Sequence, residues 1–215
     1  MPAQRKNSAE GDRKQDLVEA TLHCISEKGI QATTLREVAA RAGVSNGLIR
    51  HHFGCKARLI TAAYRKTIEL ITANTMEVLL SKDGSAHERM RRFVGATLSS
   101  PASDYQILSL WATFVSQSRV DPLIAAVRDE SYLQLRRATE PLLAELFEAE
   151  GRPLPPQELE ETSIIVHGVL DGLWIEACLD ENAGGKEKLI GLAIIALEKI
   201  LEVNLSTVKR LKAVC

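Results

Sequence analysis

Along the 215-residue chain, apolar positions recur at spacings of three and four, the pattern of helices that each bury one face. From Asp12, a stripe of Leu17, Ala20, Thr21, Cys24 and Ile25 predicts a first helix, ended by Gly29 just after Lys28. Residues 1–11 are polar and carry Arg5 and Lys6; they read as a mobile arm that touches phosphate or is simply solvated. A short second helix follows, for which Thr34 is a candidate N-cap and Glu37, three residues on, completes a capping box. Leu35, Val38, Ala39 and Ala42 give that helix one apolar face. Gly43 ends it, because glycine enters a left-handed cap without steric penalty. Val44 can plug the corner, and Ser45 is a ready N-cap for a third helix, Asn46 to Phe53. Two helices joined by a short glycine-containing turn form a helix-turn-helix, whose second helix fits the major groove of DNA.

A long helix is predicted from about Cys55 to Leu80, with Leu59, Ala62, Ala63, Ile68, Leu70 and Ile71 along its apolar side. Serving both head and body, it is the natural lever between them. Ser81–Ser85 is a loop. Further helices are predicted over Ala86–Ser99, Asp104–Arg119, Pro122–Glu150, Pro156–Asp180 and Lys186–Leu205, separated by proline- and glycine-bearing breaks. Pro141 falls inside the third of these, which should kink or split there. No period-two run predicts a strand and nothing repeats. The expected fold is all-α: a three-helix helix-turn-helix DNA-binding domain over residues 1–55, then a helical ligand-binding and dimerisation domain over residues 56–215.

The last two predicted helices are loaded on more than one side. Ile164, Ile165, Val166, Val169, Leu170, Leu173, Trp174 and Ile175 fill one, and Leu189, Ile190, Leu192, Ile194, Ile195, Leu197, Ile200 and Leu201 the other. A helix that is apolar nearly all round must be covered on two faces. In a chain of this size, a second copy is the expected second cover.

The third helix carries polar groups that a core would waste: Asn46, Arg50, His51 and His52, on a helix anchored by Ile49 and Phe53. The run Ala39–Ala42–Gly43–Val44–Ser45–Gly47–Ile49–His51–Phe53–Lys56–Leu59 resembles the DNA-binding domain of the TetR family of bacterial repressors. Three positions depart from the family pattern, which often has aromatics where Arg50 and His52 stand and Asp, Ser or Asn where Cys55 stands. Cys55 makes a weaker cap for the helix it precedes.

The resemblance implies a homodimer paired through the last two helices, with two heads on a twofold axis and hence a palindromic operator. Asn46, Gly47, Leu48 and Arg50, following the N-cap Ser45, are the residues expected to face bases; Arg50 suits guanine and Leu48 a thymine methyl. Thr34, Arg36, His51, His52 and Lys56 are expected at phosphates, though His51 and His52 suit packing roles as well. Inducer binding within the body would favour a head separation that no longer spans two half-sites.

Charge changes the picture only slightly. The formal net charge is −1, but residues 1–60 hold ten Lys/Arg against six Asp/Glu, and the remainder seventeen against twenty-two. A basic head on an acidic body suits contact with phosphates. Four cysteines (Cys24, Cys55, Cys178 and Cys215) lie far apart, so reduced thiols are expected, with neither a zinc site nor a disulfide framework. The polar N-terminus reads as no secretory leader, no apolar run of membrane-spanning length is evident, and a cytoplasmic location is expected.

An inducer pocket is expected between the body helices. Tyr105, Trp111, Phe114, Tyr132 and Trp174 are its aromatic candidates. The islands Trp111–Phe114 and Asp171–Trp174, together with Val44–Gly47, are similar to the choline-responsive repressors of glycine betaine synthesis, a branch of the same family. That likeness implies a quaternary ammonium inducer, held by aromatic faces with Asp171 as the carboxylate. The alternatives are a regulator of an efflux or catabolic operon with another inducer, and a helical adaptor that never meets DNA. An enzyme is not expected: no phosphate loop, nucleophile elbow, zinc-protease motif or metal-spaced cluster is present, and no cofactor is implied. His87 and His167 stand isolated, as polar surface or satisfied core.

Overall fold

The computed structural model describes the backbone of residues 3–99, 105–179 and 185–205, and within these spans the side chains from residue 12 onward, residues 105 and 186 excepted. The described residues form α1 (Ala3–Ala32), α2 (Leu35–Arg41), α3 (Asn46–Phe53), α4 (Lys56–Leu80), α5 (Ala86–Thr97), α6 (Tyr105–Gln117), α7 (Pro122–Ala149), α8 (Pro156–Leu179) and α9 (Gly185–Leu201). The fold is all-α, with no strand among the described residues. The chain packs as two compact units, Met1–Leu70 with Gln106–Ser131 and Ile71–Tyr105 with Tyr132–Cys215.

In the first unit, α1 reaches back to Ala3, where the sequence suggested a mobile arm. Ala3, Gln4, Arg5, Lys6, Ala9 and Glu10 all favour helix, and together they outweigh Gly11. The kink falls at Gly29 (φ 79°, ψ 169°), where a side chain would be strained. Thr33 secures the corner, donating its amide (3.3 Å) and its hydroxyl (2.8 Å) to the Gly29 carbonyl. Leu17, Ala20, Thr21, Cys24 and Ile25 are all buried, as the stripe requires. Leu17, Ala20, Cys24 and Ile25 share one core with Val38 and Ala39 of α2, Ile49 and Phe53 of α3, and Leu59, Ala63 and Tyr64 of α4. The same core takes in Phe114 and Ile124, and the rings of Phe114 and Tyr64 stack at 4.7 Å.

In the second unit, α8 packs on α9, and α5 packs on both. Met90, Phe93, Leu142, Leu143, Leu146, Val166, Leu170, Ala193 and Leu197 are among its fully buried apolar side chains. α5 opens on a capping box: Ser85 Oγ accepts from the Glu88 amide (3.2 Å), and Glu88 Oε2 accepts from the Ser85 amide (2.8 Å). α7 does not split at Pro141 but runs unbroken from Pro122 to Ala149. Leu142 and Leu143, just beyond the proline, are fully buried. Arg137, whose carbonyl loses its partner amide to the proline, is an exposed residue that water can reach. The buried Arg89 donates to Glu145, which also receives Lys82 Nζ at 2.5 Å. Beyond α9, Arg152 Nη2 donates to the carbonyls of Leu201 (2.9 Å) and Glu202 (3.1 Å) and fixes the end of that helix.

The inner and outer faces of α8 differ. Ser163, Val166, His167, Leu170, Trp174 and Cys178 are buried, whereas Ile164, Ile165 (48 % exposed) and Leu179 (62 % exposed) face outward. On α9, Leu192, Ile195 and Ile200 are likewise exposed. By length and mean hydropathy alone (24 residues, 1.3), α8 is apolar enough to cross a membrane, a property that scanning the sequence for apolar runs had missed. Its apolarity has a simpler cause: one face is committed to the core of its unit and the other is left uncovered in the single chain.

Candidate nucleic-acid interface and ligand subsite

The helix-turn-helix forms as its sequence dictates. Thr34 Oγ1 accepts from the Glu37 amide (3.3 Å), and Glu37 Oε2 accepts from the Thr34 amide (3.0 Å), so both halves of the capping box are present. α2 closes through Gly43 (φ 65°), with Gly43 N–H donating to Ala40 O (3.3 Å) and Val44 N–H to Ala39 O (2.9 Å). Ser45 occupies the N-cap of α3 in an extended conformation but makes no side-chain cap hydrogen bond, contrary to expectation. It is exposed, so water can take the place of the missing acceptor.

Glu37 also ties α2 to α1, since Lys28 Nζ stands 2.6 Å from its Oε1. The Lys28 hydrogen bond, followed by those from Thr34, lowers the Glu37 pKa to about 2. A second tie joins Arg41 to Glu27 at 2.5 Å. These ion pairs were not legible in the sequence, because the register of α1 against α2 is set by packing.

α3 is held by Ile49 and Phe53, both buried, so Asn46, Gly47, Arg50 and His51 remain exposed, with Leu48 and His52 half-buried. This is the presentation a recognition helix needs. Thr34 and Arg36 lie exposed at the start of α2, but Thr34 already donates both its amide and its hydroxyl (2.9 Å) to Glu37. Lys56 Nζ donates to the Gln31 carbonyl (3.3 Å) and so bridges α4 to the segment after the Gly29 kink. His52 lies edge-on to Phe53 (6.4 Å between centroids), and Lys14 stands 5.8 Å over the Phe53 ring. Lys14 was missed; only a known packing of α1 against α3 reveals it.

The expected ligand residues are distributed over both units. Phe114, fully buried, and the half-buried Trp111 belong to the first. Tyr132, Asp171 and Trp174 belong to the second, and the side chain of Tyr105 lies outside the described residues. The stack of Phe114 on Tyr64 makes it a core aromatic of its own unit.

Within the second unit, α7 and α8 share a polar seam. Thr139 Oγ1 donates to the Leu135 carbonyl (3.0 Å) and lies 2.9 Å from His167 Nε2. A hydroxyl has one proton, so Nε2 must carry the hydrogen and donate to Thr139. Burial, reinforced by the nearby Arg136 charge, lowers the His167 pKa to about 4 and keeps the ring neutral. Asp171, one turn along α8, is raised to about 6 by burial, with Arg136 pulling the other way. His167 is thus a satisfied core residue, and no group of acidic, histidine or cysteine side chains fit to hold a metal occurs among the described residues.

A recognition helix standing out from a three-helix core defines the protein as a helix-turn-helix DNA-binding regulator rather than an enzyme. Residues 17–63 match the model "Bacterial regulatory proteins, tetR family", and residues 86–202 match "BetI-type transcriptional repressor, C-terminal". The HTH-type transcriptional regulator BetI of Burkholderia thailandensis is 31 % identical over 173 residues, covering 80 % of this chain and 84 % of that one. The BetI of Escherichia coli O139:H28 is 30 % identical over 172 residues, covering 78 % and 83 %. A structure from Pseudomonas aeruginosa PAO1 superposes with a TM-score of 0.81 at 29 % identity, over 88 % of this chain and 90 % of that one. A protein from Saccharomonospora viridis solved in complex with choline shares the fold, with a TM-score of 0.69 at 19 % identity, over 87 % and 96 %. The chain belongs to the TetR family of transcriptional regulators and carries a BetI-type C-terminal domain.

Proposed function

We propose that the protein is a cytoplasmic repressor of choline-to-glycine betaine genes. It binds a palindromic operator as a homodimer and releases it when a quaternary ammonium inducer, choline or a close analogue, occupies the C-terminal domain. Residues 1–55 form the DNA-binding part, and residues 56–215 bind the inducer and dimerise. Asn46, Gly47, Leu48 and Arg50, with the exposed Ser45, meet base edges, while Arg36, His51, His52 and Lys56 meet phosphates. Thr34 acts chiefly by fixing α2 through Glu37.

The observation that carries the inducer reading is the half-buried carboxyl of Asp171 in a BetI-type domain, on the same unit as Tyr132 and Trp174. A carboxylate with aromatic faces is what a cation lacking N–H donors requires. The outward apolar faces of α8 and α9 support pairing of two copies, because a monomer rarely leaves so many large aliphatic side chains exposed together. Gel shifts with the DNA upstream of the protein's own gene, with and without choline, test the reading. Salt-dependent binding that choline abolishes is expected. Binding that millimolar choline leaves unchanged rejects the inducer, and an absence of salt-dependent DNA affinity rejects the regulator.

A further inference from the structure

A cleft of about 260 Å³ opens in the first unit at the C-terminal end of the recognition helix. It is lined by the buried Phe53, by Lys14 from α1, His52 from α3, Arg58 and Arg65 from α4, and the exposed Leu123 from α7. Arg58 and Arg65 are seven residues apart, so two turns of α4 bring both guanidinium groups to one face. Lys14 Nζ stands 5.8 Å over the Phe53 ring, an attraction that keeps the ammonium at the cleft. Arg58 folds back over the turn after α3: its Nη1 lies 3.8 Å from the point where a side chain at Gly54 would begin. These charges are only partly answered. Arg65 pairs with Glu130 at 2.8 Å, and Asp121 is engaged by the amides of Leu123 (2.9 Å) and Ile124 (3.4 Å) at the start of α7. Among the described residues, Lys14 and Arg58 make no ion pair and no carboxylate lines the cleft. A concave surface lined by charges of one sign focuses their field and attracts an anion.

We propose that this cleft is a phosphate seat, in which Lys14 and Arg58 together grip one phosphate group and Arg65, already paired, adds to the field. The inference does not rest on the inducer reading, since every residue of the cleft lies in the first unit and none belongs to the ligand set. A guanidinium fork beside an ammonium suits an oxyanion with several acceptor oxygens, the fork for directed contacts and the ammonium as a point charge. The volume falls below the roughly 300–1,000 Å³ of pockets for drug-sized ligands, which suits a phosphate with its sugar rather than a bulky metabolite. Two sources carry that chemistry. His52 lines the cleft and is among the side chains expected at the DNA backbone, so a phosphodiester flanking the bases that α3 reads is the favoured occupant. Free inorganic phosphate is the other, and it would compete with DNA for the seat.

The test titrates the full-length protein onto a random duplex at several salt concentrations, read by fluorescence anisotropy, and melts it in phosphate or chloride at equal ionic strength. The variant combines Lys14→Gln with Arg58→Gln; both side chains are exposed, so the fold tolerates the change. Lys14→Arg with Arg58→Lys keeps both charges as the control. If the DNA backbone fills the seat, the neutral pair flattens the slope of log K against log salt by about one unit, and the charge-keeping pair leaves it intact. If free phosphate fills it, the slope stays, but phosphate raises the parent's melting temperature above that in chloride and the neutral variant loses the rise. A slope loss of about two units overturns the seat, because it marks two separate backbone contacts. An unchanged slope with no phosphate-specific stabilisation overturns it too. The parent's own slope reports separately on DNA binding: a flat one rejects the regulator, and the melting experiment then decides the seat alone.

Discussion

Replacing Asp171 by Asn should make this protein more stable at neutral pH. The folded environment raises the Asp171 pKa from 3.8 to about 6, chiefly by burial. The folded state therefore binds the carboxyl proton more tightly than the unfolded state does. Ionisation then costs the fold a penalty that is absent below pH 3.8, grows through the window up to about 6 and is complete above it. At about 1.4 kcal/mol per unit, a shift of this size corresponds to about 3 kcal/mol as an upper figure. An amide of the same shape carries no charge to desolvate, so a gain of about 1–3 kcal/mol is expected for Asp171→Asn at pH 7.5. Urea unfolding of both chains at equal protomer concentration, at pH 7.5 and pH 4, measures it. The His167 contribution runs the opposite way, present above 6.5 and lost as pH falls towards about 4, but it cancels in the difference between the two chains. A variant destabilised equally at both pH values would refute the argument, showing that Asp171 serves the fold through hydrogen bonds rather than burdening it with charge. The expected outcome is instead a sturdier protein, and, under the function proposed above, one that does not respond to choline.

Four further outcomes follow from the geometry. Arg50→Ala should relax operator specificity at one base pair, costing about 1–3 kcal/mol there and leaving random DNA unaffected in a competition gel shift. Thr34→Ala should remove about 1 kcal/mol of stability by unfastening α2, read as a lower melting temperature. The hold of Glu37 is fully present above pH 4.5 and disappears as pH falls towards about 2, so a melt of Glu37→Gln should converge with the parent in strong acid. Ile165→Asp should yield monomers in light scattering together with lost operator binding, whereas a stable, DNA-competent dimer would place the seam elsewhere.

The chain disclosed its local structure more readily than its tertiary pairings. Thr34 with Glu37, Gly43, and the breaks before Pro122 and Pro156 are short-range signals, and each lies where its chemistry predicted. Pro141 does not split its helix, and Leu142 and Leu143 beside it are fully buried, which a local reading of the proline does not convey. The ties between Lys28 and Glu37, Thr139 and His167, and Arg136 and Tyr132 were invisible. Each depends on the rotation of its helix and on the packing that sets it, which no window of sequence contains. Asp171 was named as a carboxylate for a cation, but the raising of its pKa by burial and the opposing charge of Arg136 were not legible, because a lone arginine on a long helix looks like solvated surface.

The uncovered aliphatic faces of α8 and α9 lie in one unit and the recognition helix in the other, which has a genetic corollary. A chain with Asn46 and Arg50 replaced by alanine leaves those aliphatic faces, the pairing surface of the proposed homodimer, unchanged. Co-expressed with the normal chain it should form mixed assemblies with one blind head, and an operator of two half-sites would hold them weakly. Such an allele should derepress its targets even in a cell that still makes the healthy product, behaving as a dominant rather than a recessive lesion.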